Sequence, residues 1–180
     1  EQVVQVLKLA NDTKTPVVTR GSGTGLSGGS LPCPGAIVLC LVKMDRILEL
    51  DRANLTMLVE PGVLTLAIAD AAAGAGLFYP PDPASLRECT LGGNIATNAG
   101  GPRCMKYGVT RHYVLGLEAV LADGTVLRAG GRCHKNKTGF DLVSLFVGSE
   151  GMLAVVTEAT LRLIPHPQAR SMLTVSFATF

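Results

Sequence analysis

Apolar residues at Val3, Val6, Leu7 and Ala10 fall on one face of a 3.6-residue period, which predicts an amphipathic helix over residues 1–10. Residues 16–20 then read as a short strand. The continuous apolar run 36–41 has the form of a strand buried on both faces. Residues 47–51 and 56–60 flank Arg52, Ala53 and Asn54, the pattern of a hairpin, and Pro61 and Gly62 end it. An alanine-rich helix over 65–75 stops at Gly74 and Gly76. Further on, 114–121 and 125–129 alternate around Asp123 and Gly124, a strong hairpin signal. Residues 141–147 predict a short helix, and 152–164 a long strand that Pro165 terminates. The last stretch, 171–180, alternates like a strand opening another unit.

The segment Tyr79, Pro80, Pro81, Asp82, Pro83 is neither helix nor central strand, because proline lacks an N–H and fixes φ. It is an ordered bend or a linker. The pattern therefore predicts an α+β fold of two lobes, a small α/β lobe over residues 1–76 and a β-rich antiparallel lobe over residues 84–168. No capping residue or methionine precedes the first helix, and the strand-like end has no partner in the pattern. The chain reads as a domain excised from a longer protein, with a substrate or cap domain beyond it.

Composition narrows the function. The chain has 180 residues, 47% of them apolar, enough to fill one sizeable core. Sixteen basic and 14 acidic residues leave a net charge of +2, and no basic stripe interleaves with aromatics, which disfavours nucleic acid as a partner. The odd set Cys33, Cys40, Cys89, Cys104 and Cys133 shows neither disulfide nor zinc spacing, and its default setting is a reducing, cytoplasmic compartment. The longest apolar stretch, 63–78, is broken by Asp70 and is too short to span a membrane; no signal peptide is visible.

The candidate chemistry lies in two glycine-rich runs. The first is Arg20, Gly21, Ser22, Gly23, Thr24, Gly25, Leu26, Ser27, Gly28, Gly29, Ser30; the second covers 91–101. Glycine admits positive φ and lets a ligand approach without meeting a Cβ, so successive N–H groups converge on phosphate oxygens. The hydroxyls of Ser22, Thr24 and Ser27 add donors and Arg20 a charge. Two such loops point to one anionic cofactor held from two sides, against the alternative of two flexible loops. Gly23, Gly25 and Gly28 also match G-x-G-x-x-G, with Glu49 and Asp51 roughly twenty residues on, as a nicotinamide dinucleotide site requires. That site needs a helix after the loop, whereas Pro32 and Pro34 follow here, so the match is read as accidental. A P-loop is excluded because no Gly-Lys-Ser/Thr closes the run.

Taken together, the runs 20–29, 77–83, 90–101, 106–110 and 148–151 resemble the FAD-binding domain of the vanillyl-alcohol-oxidase/p-cresol-methylhydroxylase type. Within it, they are most similar to the FAD subunit of bacterial glycolate oxidase and its D-lactate dehydrogenase relatives. The resemblance implies FAD between two lobes, with 20–29 as the pyrophosphate loop. Residues 82–90 and 93–100 would line the other side of diphosphate and flavin, among them Pro83, Ser85, Thr90, Gly93, Asn94, Thr97, Asn98 and Gly100. Glu150, Gly151 and Val155 would complete the adenine and ribose end.

Individual residues carry competing readings. Thr97 and Asn98 suit flavin or phosphate oxygens, or cap a local turn. Glu150 accepts from a ribose hydroxyl or is a solvated loop carboxylate, and Arg20 pairs with phosphate or ends a strand in water. Arg103 and Lys106, flanking Tyr107, meet an anionic substrate or stand as a solvated pair, the latter being the default. His112, His134 and His166 fall in no cofactor motif and are not assigned as base. Covalent relatives use a histidine in the pyrophosphate loop, absent here, so the resemblance implies non-covalent FAD. Phe140 stands where the family pattern has tyrosine, and Met152 to Ala154 depart from it too. The implied activity is hydride transfer from a 2-hydroxy acid, glycolate or D-lactate, to flavin. The base and carboxylate clamp would lie beyond Phe180, and an iron–sulfur subunit, which could also confer membrane association, would take the electrons. A flavin reductase acting on an enolpyruvyl sugar with NADPH, an NAD-dependent dehydrogenase and a non-catalytic nucleotide-binding module stay open at this point.

Overall fold

The computed structural model describes residues 1–169 and 171–179. Helix α1 (Gln2–Thr13) buries Val3, Leu7 and Ala10, the stripe that its periodicity predicts. It runs three residues past the predicted end, and Lys14 closes it in the left-handed region at φ 55°. Strands β1 (Val17–Arg20) and β2 (Ile37–Cys40) pair in parallel, Val17 opposite Ile37. Contrary to expectation β2 is not buried on both faces: Val38 is 43% exposed and Cys40 is exposed. A two-stranded sheet has one covered face, and here it packs with α1 against Leu41, Val120 and Val155.

The main sheet has five strands in the order β3-β4-β8-β6-β7, all neighbours antiparallel. They are β3 (Ile47–Asp51), β4 (Thr56–Val59), β6 (Val114–Val120), β7 (Val126–Gly130) and β8 (Val155–Arg162). Asp51 makes the first hairpin turn by accepting from Asn54 N (2.9 Å) and Nδ2 (2.6 Å). In the second, Gly124 takes φ 83° and Asp123 accepts from Thr125 N at 2.8 Å. The ladder corrects the division near residue 76: β4 pairs with β8, so the first hairpin belongs to the same sheet as 114–162. Helix α1 with β1 and β2 stands apart from it, and their core still reaches Val120 and Val155. A short pair, β5 (Leu77–Phe78) with β9 (Ile164–Pro165), ties the middle of the chain to its end.

Helix α2 (Thr65–Gly74) covers the sheet through Ile68 and Ala72. The second glycine-rich run is not a loop: residues Leu91–Thr97 form helix α3, with Asn98 as its left-handed cap at φ 51°. Two glycines weaken helix propensity by roughly 1 kcal/mol each, but burial of Leu91, Asn94 and Ile95 on one face overrides that cost. Gly92 is needed for the approach, since a Cβ there would sit 2.9 Å from Pro61 Cβ. Helices α4 (Cys104–Tyr107) and α5 (Leu142–Phe146) complete the set, with a 3₁₀ turn over Thr110–Tyr113. Asp141 caps α5 by accepting from Ser144 N at 2.9 Å. Residues 171–179 take no regular secondary structure, which overturns the strand expected there; Phe180 lies outside the described residues.

The proline segment is an ordered bend, with Tyr79, Pro80 and Pro81 buried. Tyr79 is fully buried edge-on to Tyr113, and among the described residues its hydroxyl is the one fully buried side-chain oxygen or nitrogen with no partner. Burial pushes its phenol above the ordinary tyrosine range. An unsatisfied buried hydroxyl costs about 1–3 kcal/mol. Tyr79→Phe is therefore expected to be at least as stable as the parent in urea denaturation, and a marked loss of stability would contradict this reading.

Glu60 closes β4 by accepting from Arg46 N (2.9 Å), Nε (3.2 Å) and Nη2 (2.8 Å). These bonds hold the Glu60 carboxyl below the ordinary glutamate range. A depressed carboxylate stabilises the fold above its unfolded pKa and loses that contribution as pH falls through the folded value. The stability advantage over Glu60→Gln is therefore expected at neutral pH and should vanish on acidification below the glutamate range, read by melting temperature against pH.

Candidate functional site

Strand β1 delivers the chain into the loop 21–30, which faces α3 and the stretch 83–85 across a cleft of about 520 Å³. That volume suits a dinucleotide-sized organic ligand. The cleft is lined by Gly21, Ser22, Gly23, Thr24, Gly25, Leu26 and Ser27 on one side. On the other stand Pro83, Ser85, Thr90, Gly93, Asn94 and Thr97, with Glu150 at one end. A narrower annex of about 80 Å³ continues past Gly21, Thr90, Gly93 and Glu150. Arg20, Gly151 and Val155 line it beside the apolar Leu41, Pro61, Ile95 and Phe146.

The loop is shaped for close approach. A Cβ on Gly21 would collide with Thr90 Oγ1, so only glycine lets β1 meet the start of α3. Gly23 and Gly28 sit at φ 77° and 79°, the left-handed region that favours glycine. A Cβ on Gly25 or Gly29 would meet no atom within 4 Å, so the backbone at both lies open. Among the described residues, no hydrogen bond within the protein uses the N–H groups of Gly21, Ser22, Gly23, Thr24 or Gly25. These are the donors an oxyanion would take.

Helix α3 is pinned at both ends by main-chain bonds. Leu91 N donates to Val63 O (2.9 Å) and Gly92 N to Pro61 O (2.7 Å). Gly148 N donates to Ile95 O and Glu150 N to Ala96 O, each at 2.8 Å. Glu150 takes φ 53° between Gly148 at 89° and Gly151 at 78°, which is how its turn reaches under α3. Gly93, Ala96 and Thr97, three and four residues apart, present one face of α3 to the cleft.

Two candidates do not come to the cleft. Asn98 turns away, accepting from Arg111 N at 2.9 Å while it caps α3. Gly100 packs toward Val109 and Cys104. Asn98 is the left-handed cap that ends α3, and Gly100 lies beyond it, where the chain has turned off the helix. Thr97 lines the rim, but its hydroxyl donates to Gly93 O at 3.0 Å within its own helix. The guanidinium of Arg20 folds over Gly23, whose Cβ would lie 3.0 Å from Nε. Of the cations beside Tyr107, Arg103 is paired, bonding Asp82 at 3.1 Å and lying 5.2 Å over the Phe78 ring, while Lys106 is exposed, 5.1 Å over Tyr107. His112 accepts from Val109 N, His134 meets Asn54 O and His166 packs edge-on to Phe78. Sequence reasoning missed Thr19 and Ser30, which also line the cleft.

Three comparisons bear on this geometry. A family described as an FAD binding domain matches residues 1–130. The glycolate oxidase subunit GlcD of Bacillus subtilis (strain 168) is 50% identical over 173 residues, covering 96% of this chain and 37% of its own length. A D-lactate dehydrogenase of Archaeoglobus fulgidus is 49% identical over 179 residues, 99% of this chain and 40% of its own. The chain thus spans about two-fifths of the length of these relatives. In three dimensions it is similar to an alkyldihydroxyacetonephosphate synthase, with a TM-score of 0.81 at 25% identity, over 93% of this chain and 33% of that one. No helix among the described residues is long and apolar enough to cross a membrane.

The contact between Gly21 and Thr90 is open to test. Gly21→Ala is expected to lose about 1–3 kcal/mol through overpacking, and Gly21→Ala with Thr90→Ala to recover most of it, measured by chemical denaturation. Equal losses in the single and double variants would contradict the contact.

Proposed function

The chain belongs to the FAD binding domain family, and from that premise we propose that it holds FAD in this cleft as the cofactor domain of a flavin-dependent 2-hydroxy-acid dehydrogenase or oxidase, acting on glycolate or D-lactate. The observation that carries the reading is the glycine-lined wall of unpartnered amides at 21–25 facing α3 across a cleft of dinucleotide size.

The residues fit the cofactor. Main-chain N–H groups of the loop, with the Ser22, Thr24 and Ser27 hydroxyls, would hold the diphosphate, and each charge-assisted bond contributes about 1.5–3 kcal/mol. The apolar annex formed by Leu41, Ile95, Phe146 and Val155 suits the adenine. Glu150, which lines both annex and cleft, would accept from a ribose hydroxyl. The wider part, walled by Pro83, Ala84 and Ala99, is left for the flavin. No histidine lies in the loop 20–30, so attachment is non-covalent. When bound, FAD supplies an acceptor for the hydride of the substrate Cα–H. The role of this chain is to orient that acceptor. The base and the cation for the substrate carboxylate would come from the part of the relatives' length that this chain does not span.

The relative named as a glycolate oxidase subunit supports a multi-subunit parent, and an iron–sulfur subunit is the proposed electron acceptor. A cytoplasmic setting, with any membrane contact made through that partner, agrees with five free cysteines.

Purified chain offered FAD is expected to bind it with micromolar or tighter affinity, about −8 kcal/mol, and to show flavin absorbance, while NAD does not compete. It is expected to oxidise neither glycolate nor D-lactate by itself. A colourless protein that gives no heat with FAD would overturn the cofactor reading, and steady-state glycolate oxidation by the chain alone would overturn the division of labour.

A further inference from the structure

Asn94 is 3% exposed on the buried side of α3, yet it lines the cleft. Beneath it lie two buried polar groups, Thr65 at the start of α2 and Cys89. The Thr65 hydroxyl has one hydrogen, which it donates to Cys89 O at 3.3 Å. Toward its other neighbours it can only accept. In this network Asn94 presents its nitrogen, and Nδ2 donates to Thr65 Oγ1 at 2.6 Å. The thiol of Cys89, 3.2 Å away, fills the remaining lone pair of Oγ1. With the amide this way round, Oδ1 is left without a bond to Thr65. Among the described residues no group of the protein donates to it, and it is not among the fully buried orphans. The opening left to it is the cleft.

An amide oxygen repels a diphosphate, whose oxygens are all acceptors. We propose that Asn94 Oδ1 takes an O–H or N–H donor of the cofactor, on the ribityl chain or the flavin ring, and that Thr65, backed by Cys89, is the positioning residue that sets this polarity. The diphosphate then belongs to the loop at 21–27, and α3 reads the donor-bearing part of the same ligand. This rests on FAD being the occupant of the cleft.

The test uses the full chain and FAD, with the dissociation constant read from quenching of flavin fluorescence. Asn94→Leu and Thr65→Val are each expected to weaken FAD binding by about tenfold or more, the scale of one lost buried bond, while Thr65→Ser stays close to the parent. Because Thr65 acts through Asn94, Thr65→Val should add little once Asn94→Leu is present. Parent-like affinity in Asn94→Leu, full additivity in the double variant, or failure of Thr65→Ser to restore binding would each overturn the proposal. Should Thr65→Val not fold, Asn94→Leu and Thr65→Ser decide it. A parent chain that binds no FAD defeats the functional reading and this inference with it, whereas equal binding by parent and Asn94→Leu defeats only the inference.

Discussion

The placement of α3 is the constraint on which the site depends. Four main-chain bonds hold it, two to the end of the β4 hairpin at Pro61 and Val63 and two from the turn at Gly148 and Glu150. Buried main-chain groups must find partners, so the helix cannot shift without breaking bonds at both ends. Gly92 lets its first turn lie against Pro61, and Gly21 lets the end of β1 lie against Thr90. Three separate parts of the chain thereby meet at one short helix, and the cleft is the space left between them.

The same arrangement explains the division of chemistry. The loop at 21–25 offers bare N–H donors, suited to negative charge. Helix α3 offers small side chains and one oriented amide, suited to shape and to a neutral donor. The annex offers apolar surface. A ligand with a charged centre, a planar apolar end and hydroxyls between satisfies all three, and FAD is such a molecule.

Much of the fold is legible in the sequence. The apolar stripe of α1, the turn residues Asp51 with Asn54 and Asp123 with Gly124, and the Asp141 cap each act locally, and local signals survive into the fold. What stays hidden is non-local. The pairing of β4 with β8 is decided by contacts roughly a hundred residues apart, so the local pattern puts the first hairpin in the wrong lobe. The helical state of 91–97 is decided by burial of Leu91 and Ile95, against the local preference of two glycines. The same helix decides the surroundings of the residues after it: Asn98 caps it and accepts from Arg111 N, and Gly100 lies against Val109. The stretch from Gly21 to Ser27 is readable without tertiary context because its contribution is largely the absence of side chains.

Amide hydrogen exchange of the chain with and without FAD tests the account most directly. The N–H groups of Gly21 to Gly25 have no partner within the protein among the described residues, so they should exchange fast in the free chain and slow markedly when the cofactor is bound. If FAD binds and these amides exchange as fast as before, the diphosphate is held elsewhere and the account is wrong.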